Sequence, residues 1–360
     1  MQKYKVGILG ATGMVGQKYI SLLNMHPWFE VCYLVASERS AGKTYAEAVA
    51  NRWHLKSAIP EKIAKLTLFP VDDIASAIAS CSFVFSALDT QTAKTYEEQY
   101  AKAGLPLVSN ASAHRFTPDV PLLIPEVNAH HLDIIPIQQK NRGWEKGFIV
   151  TKPNCSIQSY LTPLYALHKQ FKIKRVIATT MQAVSGAGHA DVASMDMHDN
   201  IVPFIKGEEE KSENEPRKIL GSIAGKGFVE NCEFLISAHC NRVPVTDGHM
   251  ACVSVEFENK PEREEILSIW ESFRSAPQEL NLPSAPNFPL LYREEPDRPQ
   301  PRYDRDNDHG MATTLGRLRE CNVLDYRFVG LSHNTIRGAA GGAILTAELI
   351  AEKGLFSIER

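Results

Sequence analysis

The stretch Tyr4-Lys5-Val6-Gly7-Ile8-Leu9-Gly10-Ala11-Thr12-Gly13-Met14-Val15-Gly16 constrains the fold more than any other part of the chain. An apolar run turns through Gly10, Gly13 and Gly16 into a segment with helical spacing. In that context a G-x-x-G-x-x-G turn lets the backbone approach a pyrophosphate, which would face free helix N–H groups and the positive end of the helix dipole. The first 110 residues continue the alternation, with strands expected over 4–9, 30–36, 66–69, 82–87 and 107–109 and helices over 14–25, 73–80 and 90–103. Such alternation builds a parallel, Rossmann-type α/β sheet from βαβ units.

The chain has 360 residues, more than the roughly 100–200 of one ordinary domain, so a second domain is expected. From Cys155 onward the pattern shifts to longer segments of period-2 alternation at 175–184, 234–245 and 250–257, separated by helical stretches. This predicts an α+β domain with a mixed or antiparallel sheet covered by helices on one face. The Pro-rich segment 282–302 reads as an irregular loop. The ending SHNTIRGAAGGAILTAELIAEKG reads as a helix whose small residues permit close packing.

A net charge of -3 with interspersed signs provides no basic field, which argues against nucleic acid and membrane surfaces as partners. No apolar run is long enough to span a bilayer and the start lacks a signal-peptide pattern, so a cytoplasmic location is expected. Seven cysteines with no C-x-x-C point to reduced thiols rather than a disulfide framework.

Near the end of the second strand, where a dinucleotide's ribose would be read, stand Ala36-Ser37-Glu38-Arg39-Ser40. Glu38 could accept from two ribose hydroxyls and favour NAD, whereas Ser37, Arg39 and Ser40 could donate to a 2′-phosphate and favour NADP. Arginine beside two hydroxyls suits a dianion, so the balance tips to NADP.

Cys155 lies in VTKPNCSI, before apolar residues Ile157, Leu161, Leu164 and Leu167 at helical spacing. A thiol at a helix start would have its pKa lowered by the dipole and could act as a nucleophile. A small buried core residue would look the same in sequence. A nucleophilic thiol beside a nicotinamide cofactor implies aldehyde–thioester chemistry, which needs an acid/base group. Among 12 histidines, His26, His54, His168 and His189 could be surface or capping residues. His249 follows an Asp-Gly break before an alternating strand, where a side chain can be aimed into a cleft. His239, Cys240, His249 and Cys252 match no zinc spacing, and no metal is expected.

Taken together, GATGMVGQ at 10–17, ASERSAGK at 36–43, SNASAHR at 109–115, PNCS at 153–156, QAVSGAG at 182–188, GEEEK at 207–211, NRVPVTDGH at 241–249 and SHNTIRGAAGG at 332–342 resemble the aspartate-β-semialdehyde dehydrogenases, most closely the archaeal and fungal branch. The resemblance implies that Cys155 is the nucleophile, His249 the acid/base and Gln182 the residue orienting the acyl group. It also implies that Arg242 holds the substrate carboxylate, Glu208 its ammonium, Lys211 the phosphate, and Asn110 and Arg115 a phosphate-binding stretch. Cofactor contacts implied are Gly10, Thr12, Gly13, Met14, Val15, Ser37, Arg39, Ser40, Ser86 and Leu88, with Ser185, Gly186 and Asn334 near the nicotinamide. The implied domains are 1–154, to which 335–360 return, for NADP, and 155–334 for catalysis and assembly into a homodimer or homotetramer.

The activity so implied is NADPH-dependent reduction of L-aspartyl-4-phosphate to L-aspartate 4-semialdehyde and phosphate, in aspartate-family amino-acid biosynthesis. Malonyl-CoA reductases share most of these motifs, but the resemblance assigns them neither the Asn of Pro-Asn-Cys nor the Arg-Val-Pro-Val run, and both are present here. The sequences characteristic of glyceraldehyde-3-phosphate dehydrogenase and N-acetyl-γ-glutamyl-phosphate reductase are not found. A non-catalytic nucleotide-binding protein would have no evident reason to keep Cys155, Gln182, Arg242 and His249 together.

Overall fold

A computed structural model of the protein describes residues 2–188 and 197–356. His189 lies outside the described residues. The first sheet has six parallel strands, β1 (Tyr4–Leu9), β2 (Phe29–Val35), β3 (Leu68–Phe69), β4 (Phe83–Ser86), β5 (Leu107–Ser109) and β6 (Ile149–Thr151). Their spatial order is β3-β2-β1-β4-β5-β6. The direction of winding reverses between β1 and β4, so the carboxyl ends of these two strands open the crevice in which doubly wound sheets bind ligands. Helix α1 (Met14–Leu23) begins there, capped by Gly13.

The second sheet follows the order β10-β7-β11-β14-β13-β12. Its strands are β7 (Ile173–Gln182), β10 (Leu235–Arg242), β11 (His249–Phe257), β12 (Leu290–Arg293), β13 (Thr313–Glu320) and β14 (Tyr326–Ser332), and β8 (Ser222–Ala224) and β9 (Gly227–Val229) form a separate hairpin. Pairing is mixed: β7 runs parallel to β10 and antiparallel to β11, which is antiparallel to β14. Alternation buries Val176, Ala178, Thr180 and Gln182 on one face of β7 and leaves Ile177, on the other, 44% exposed. Helices α2 (Leu161–Phe171) and α3 (Arg263–Ser272) pack on the covered face through Leu161, Leu164, Leu167, Ile266 and Trp270.

The Pro-rich segment is more ordered than its composition implies. Leu290–Arg293 pairs parallel with β13, and the buried Asp304 carboxylate gathers Arg298 and Arg293. Local spacing does not reveal a strand whose partner lies more than twenty residues away.

The last helix, α4 (Gly341–Glu352), is buried along ten consecutive residues, from Gly341 to Ile350. Ala343, Ile344, Leu345, Ala347, Leu349 and Ile350 pack in the same core as Val6, Ile8, Leu34 and Phe85 of the first sheet. A single π-turn, Ile336–Ala340, precedes it and lies against the turn that carries Cys155.

Candidate active site

Strand β6 ends at Thr151 and the chain then crosses to the second sheet through Lys152-Pro153-Asn154-Cys155. Asn154 shapes this crossing. Its Oδ1 accepts from the Ser156 N–H (2.9 Å) and hydroxyl (2.7 Å), and its Nδ2 donates to both oxygens of Glu208 (2.9 Å each). Cys155 itself caps a short 3₁₀ turn, Ser156–Ser159, and the α-helix begins only at Leu161.

That geometry changes the expected thiol chemistry. No long helix dipole points at Cys155, and burial pushes its thiol up to about 11, reinforced by the Glu208 carboxylate. Lys152, Arg115 and Arg242 oppose this but do not overcome desolvation. The resting residue is therefore a thiol, contrary to the depressed pKa inferred from its place before a helix.

His249 opens β11 and is fully buried. Its Nε2 stands 3.3 Å from the Cys155 sulfur, while its Nδ1 accepts the Ala183 N–H at 3.0 Å. Because a backbone N–H can only donate, the neutral ring carries its hydrogen on Nε2 and presents it to sulfur. Burial, together with Arg242 and His333, lowers its pKa to about 3, so the ring stays neutral. In this arrangement the ring presents a donor to the sulfur, while its other nitrogen is occupied by the Ala183 N–H. The Gly248 N–H bonds Asn334 Oδ1 (2.8 Å), whose Nδ2 bonds Ser185 Oγ (2.8 Å), a latch that fixes the entry to β11.

Around this pair opens a cavity of about 890 Å³. Gln182, Arg242, Glu208, Lys211, Asn110, Arg115, Ser185, Gly186, Asn334, Val15 and Leu88, all implied by the resemblance, are among the residues that line it. The Arg242 guanidinium donates to the Ala183 carbonyl (2.8 Å) and has no carboxylate partner among the described residues, which leaves its remaining donors for a ligand. Gly186 lies so close that a β-carbon there would sit 3.0 Å from Arg242 Nη1 and 3.1 Å from the His249 ring.

The charged helix Glu208–Ile219 turns one face inward. Glu208, Ser212, Glu215 and Ile219 are buried on its inner side. Lys211 Nζ pairs with Glu208 at 2.8 Å. Glu215, which sequence reasoning missed, pairs with Arg115 (2.8 Å) and accepts the Asn154 N–H (2.7 Å), tying the loop of Arg115 to the thiol turn. The i, i+4, i+7 spacing of Glu208, Ser212 and Glu215 puts them on one helix face, but nothing in the sequence marks that face as the inner one.

At the other end of the crevice, Gly10 has φ +80 and an added β-carbon would meet the Ala87 carbonyl at 2.6 Å, while one at Gly16 would meet Gly10 O at 2.3 Å. A β-carbon at Gly13 meets nothing nearer than 3.5 Å, so the open side of the loop, with Thr12 and Met14, is free for a pyrophosphate. Beyond it a hollow of about 580 Å³ is lined by Ser37, Arg39, Ser40, Lys43 and Arg52 among others. Three cations and two hydroxyls there, against the one carboxylate of Glu47, suit a phosphate better than a bare ribose, and Glu38 does not line the hollow. Lys43 and Arg52 were not foreseen. Ser86 is a correction: β4 is buried along its whole length, the Ser86 side chain lies beside Glu97, and only its backbone, accepting from the Asn110 N–H at 3.0 Å, borders the loop.

The other histidines have separate work. His26 binds Glu348 (2.8 Å), and His168 Nδ1 accepts the Ile173 N–H (2.9 Å). His239 and Cys252 lie on the open face of the second sheet, Cys240 and His249 on the covered one, so these four do not converge.

A doubly wound nucleotide-binding sheet joined to a mixed sheet, with a thiol at the floor of the cleft between them, defines a dinucleotide-linked dehydrogenase of the thiol-bearing class. Residues 5–135 match the model of the semialdehyde dehydrogenase NAD binding domain, and 164–337 that of the semialdehyde dehydrogenase dimerisation domain. The chain belongs to the aspartate-semialdehyde dehydrogenase family. It is 49% identical to the aspartate-semialdehyde dehydrogenase of Methanothermobacter thermautotrophicus, over 96% of this chain and 99% of that protein. The crystal structure of aspartate semialdehyde dehydrogenase with NADP from Candida albicans superposes with a TM-score of 0.90 at 41% identity, covering 98% of this chain and all of that one. A malonyl CoA reductase (NADP) of Metallosphaera sedula is 40% identical over 97% of each chain.

Proposed function

We propose that the protein reduces L-aspartyl-4-phosphate to L-aspartate 4-semialdehyde and phosphate, with NADPH as reductant. The observation that carries the proposal is the meeting, in one cavity, of the Cys155–His249 contact with an uncommitted Arg242 and the Glu208–Lys211 pair. Arg242 suits the substrate's α-carboxylate, Glu208 its ammonium, and Lys211 and Arg115 the phosphoryl oxygens. Engagement of the ammonium by Glu208 would release Lys211 toward phosphate.

The Cys155 sulfur attacks the acyl carbon as its proton passes to the departing phosphate, the carbon–oxygen bond to phosphate breaks, and a thioester remains. NADPH, when bound, supplies hydride to that carbon. Gln182, 1% exposed at the end of β7, faces the acyl oxygen, and the Nε2–H of His249 stabilises sulfur as the carbon–sulfur bond breaks and the aldehyde leaves. The groups around the crevice fit the cofactor: the Gly10–Gly13 loop accepts the pyrophosphate, Ser37, Arg39 and Ser40 with Lys43 the 2′-phosphate, and Ser185, Gly186 and Asn334 the nicotinamide end.

The Asn154–Glu208 contact favours an amino-bearing substrate over malonyl-CoA, which has no ammonium for Glu208 to meet. The chain is read as two domains, 1–154 with 335–360 and 155–334. The open face of the second sheet, with Ile177 and Leu235 exposed, suits a second copy of the chain, giving a homodimer or a tetramer built from it. A cytoplasmic location fits seven free cysteines, and no helix among the described residues is long and apolar enough to cross a membrane. The test follows NADPH formation from aspartate semialdehyde and phosphate, with malonate semialdehyde and coenzyme A as the competing pair. Cys155→Ala should abolish turnover and retain NADP binding; turnover in that variant, or with the second pair alone, would refute the proposal.

A further inference from the structure

Two of the seven thiols meet in the nucleotide-binding half, away from the catalytic cleft. Cys32, in β2, and Cys81, which ends the helix Ile74–Ser80, bring their sulfurs to 3.8 Å. Cys32 Sγ also lies 3.3 Å from the Ser80 carbonyl and 3.6 Å from that of Val6. It is therefore anchored both to the turn that carries Cys81 and to the central strand between the two thiols. Cys81 is buried, whereas Cys32 is half-buried and the one that a solute can approach.

Two local features of the sheet create the contact. The pairing of β1 with β2 slips by one residue between Val6, opposite Val31, and Gly7, opposite Tyr33, so Cys32 is the extra residue of β2. A bulge of this kind re-aims a side chain, here onto the end of the helix. Gly7 then clears the space, since a β-carbon there would lie 3.2 Å from Cys81 Sγ and 2.9 Å from Val84 Cγ1. The hydrogen bond between the thiols lowers Cys32 against the effect of burial, with Lys5 assisting, and raises Cys81, where burial acts in the same sense. The accessible sulfur is the more readily ionised of the two, and its partner waits behind it.

We propose that Cys32 and Cys81 form a reversible oxidation site, which a hydroperoxide converts to a disulfide that staples the nucleotide-binding sheet. The Cys32 sulfur attacks a peroxide oxygen, the O–O bond breaks, and the departing oxygen leaves as alcohol or water with the thiol proton, so that a sulfenic acid remains. The Cys81 sulfur attacks that sulfur, the S–S bond forms, the S–O bond breaks, and hydroxide leaves as water with the second thiol proton. Two thiols thus lose two electrons and two protons, and the hydroperoxide takes up both. From 3.8 Å the sulfurs close to about 2.05 Å, roughly 0.9 Å of travel each. The bridge would tie β2 to the approach to β4 across β1, behind the carboxyl ends where the cofactor crevice opens. It takes no part in the proposed reaction and stands apart from it.

The test treats the reduced full-length protein with hydrogen peroxide, traps remaining thiols with iodoacetamide and digests it without reductant. Mass spectrometry should find the Cys32 and Cys81 peptides joined and lighter by two hydrogens, a species that dithiothreitol removes. Joining residues 49 positions apart restricts the unfolded chain, so Tm of the treated protein should rise by roughly 5 °C and return on reduction. NADP affinity, titrated by fluorescence, should be the same in the joined and reduced forms. In Cys32→Ser, a change at the half-buried position, neither the joined peptide nor the Tm rise should appear. Cys81→Ala empties a buried site and should start from a lower Tm, but peroxide should again leave it unmoved. Cys32 driven on to sulfinic acid with Cys81 still free would overturn the proposal. So would a joined form with unchanged or lowered Tm, or a Tm rise that persists in Cys32→Ser.

Discussion

Gly186→Ala is a test of whether Arg242 and His249 act from the positions described. The added methyl would lie 3.0 Å from Arg242 Nη1 and 3.1 Å from His249 Cε1 and Nε2, where ordinary carbon contacts begin near 3.5 Å. One side or the other must move by roughly half an ångström. Gly186 is not in a positive-φ conformation and is exposed, so the backbone accepts alanine and the protein should fold with little change in Tm. The imidazole is held by Ala183 and cannot withdraw freely, and Arg242 is held by the Ala183 carbonyl. If misplacement by about 1 Å costs about 100-fold, half of that costs roughly tenfold. Steady-state NADPH formation should show kcat down about tenfold through His249 and the KM for aspartate semialdehyde raised severalfold through Arg242. Unchanged kcat and KM in a folded variant would refute the claim that these two groups work from this geometry.

Arg39→Ala should raise the KM for NADP by roughly tenfold and leave that for NAD unchanged, measured under saturating semialdehyde; an equal effect on both would remove Arg39 from 2′-phosphate recognition. Glu215→Ala strands the Arg115 guanidinium, 7% exposed, without its counter-ion, and should cost about 3–5 kcal/mol in urea unfolding. The fully buried Glu97 carboxyl, bonded by Ser109 Oγ at 2.6 Å, is raised by burial to about 7. It therefore holds a proton that the unfolded chain loses above pH 4.5, and contributes stability that disappears as pH rises from 4.5 to 7, about 3 kcal/mol in all. Glu97→Gln should flatten that slope and raise Tm at pH 8, and an unchanged pH–stability curve would show that Glu97 is ionised in the folded state.

The nucleotide-binding half was legible because its signals are local. Periodicity set β1, β2, β4 and β5 within two residues of their observed ends, and the glycine turn needed no distant partner. The cleft-lining side chains came largely from resemblance across the motifs, since no spacing links Cys155 to a histidine 94 positions later. Polar groups that serve the site indirectly stayed hidden. Nothing in the sequence separates Glu215 from the charges around it, because burial decides its part and burial is a property of the assembled sheets. The thiol's pKa was misjudged for the same reason: a helix start is visible in sequence, but the desolvation that outweighs it is not.

The placement of α4 also bears on synthesis. Its residues complete the core begun by Val6 and Ile8, so the first sheet waits for the far end of the chain before its interior can close. During translation the second sheet can assemble earlier, since β14 ends at Ser332. Order of emergence is therefore inverted relative to order of completion: the half of the molecule made first is finished last, and a chain cut short before Gly341 should leave that half open to proteolysis.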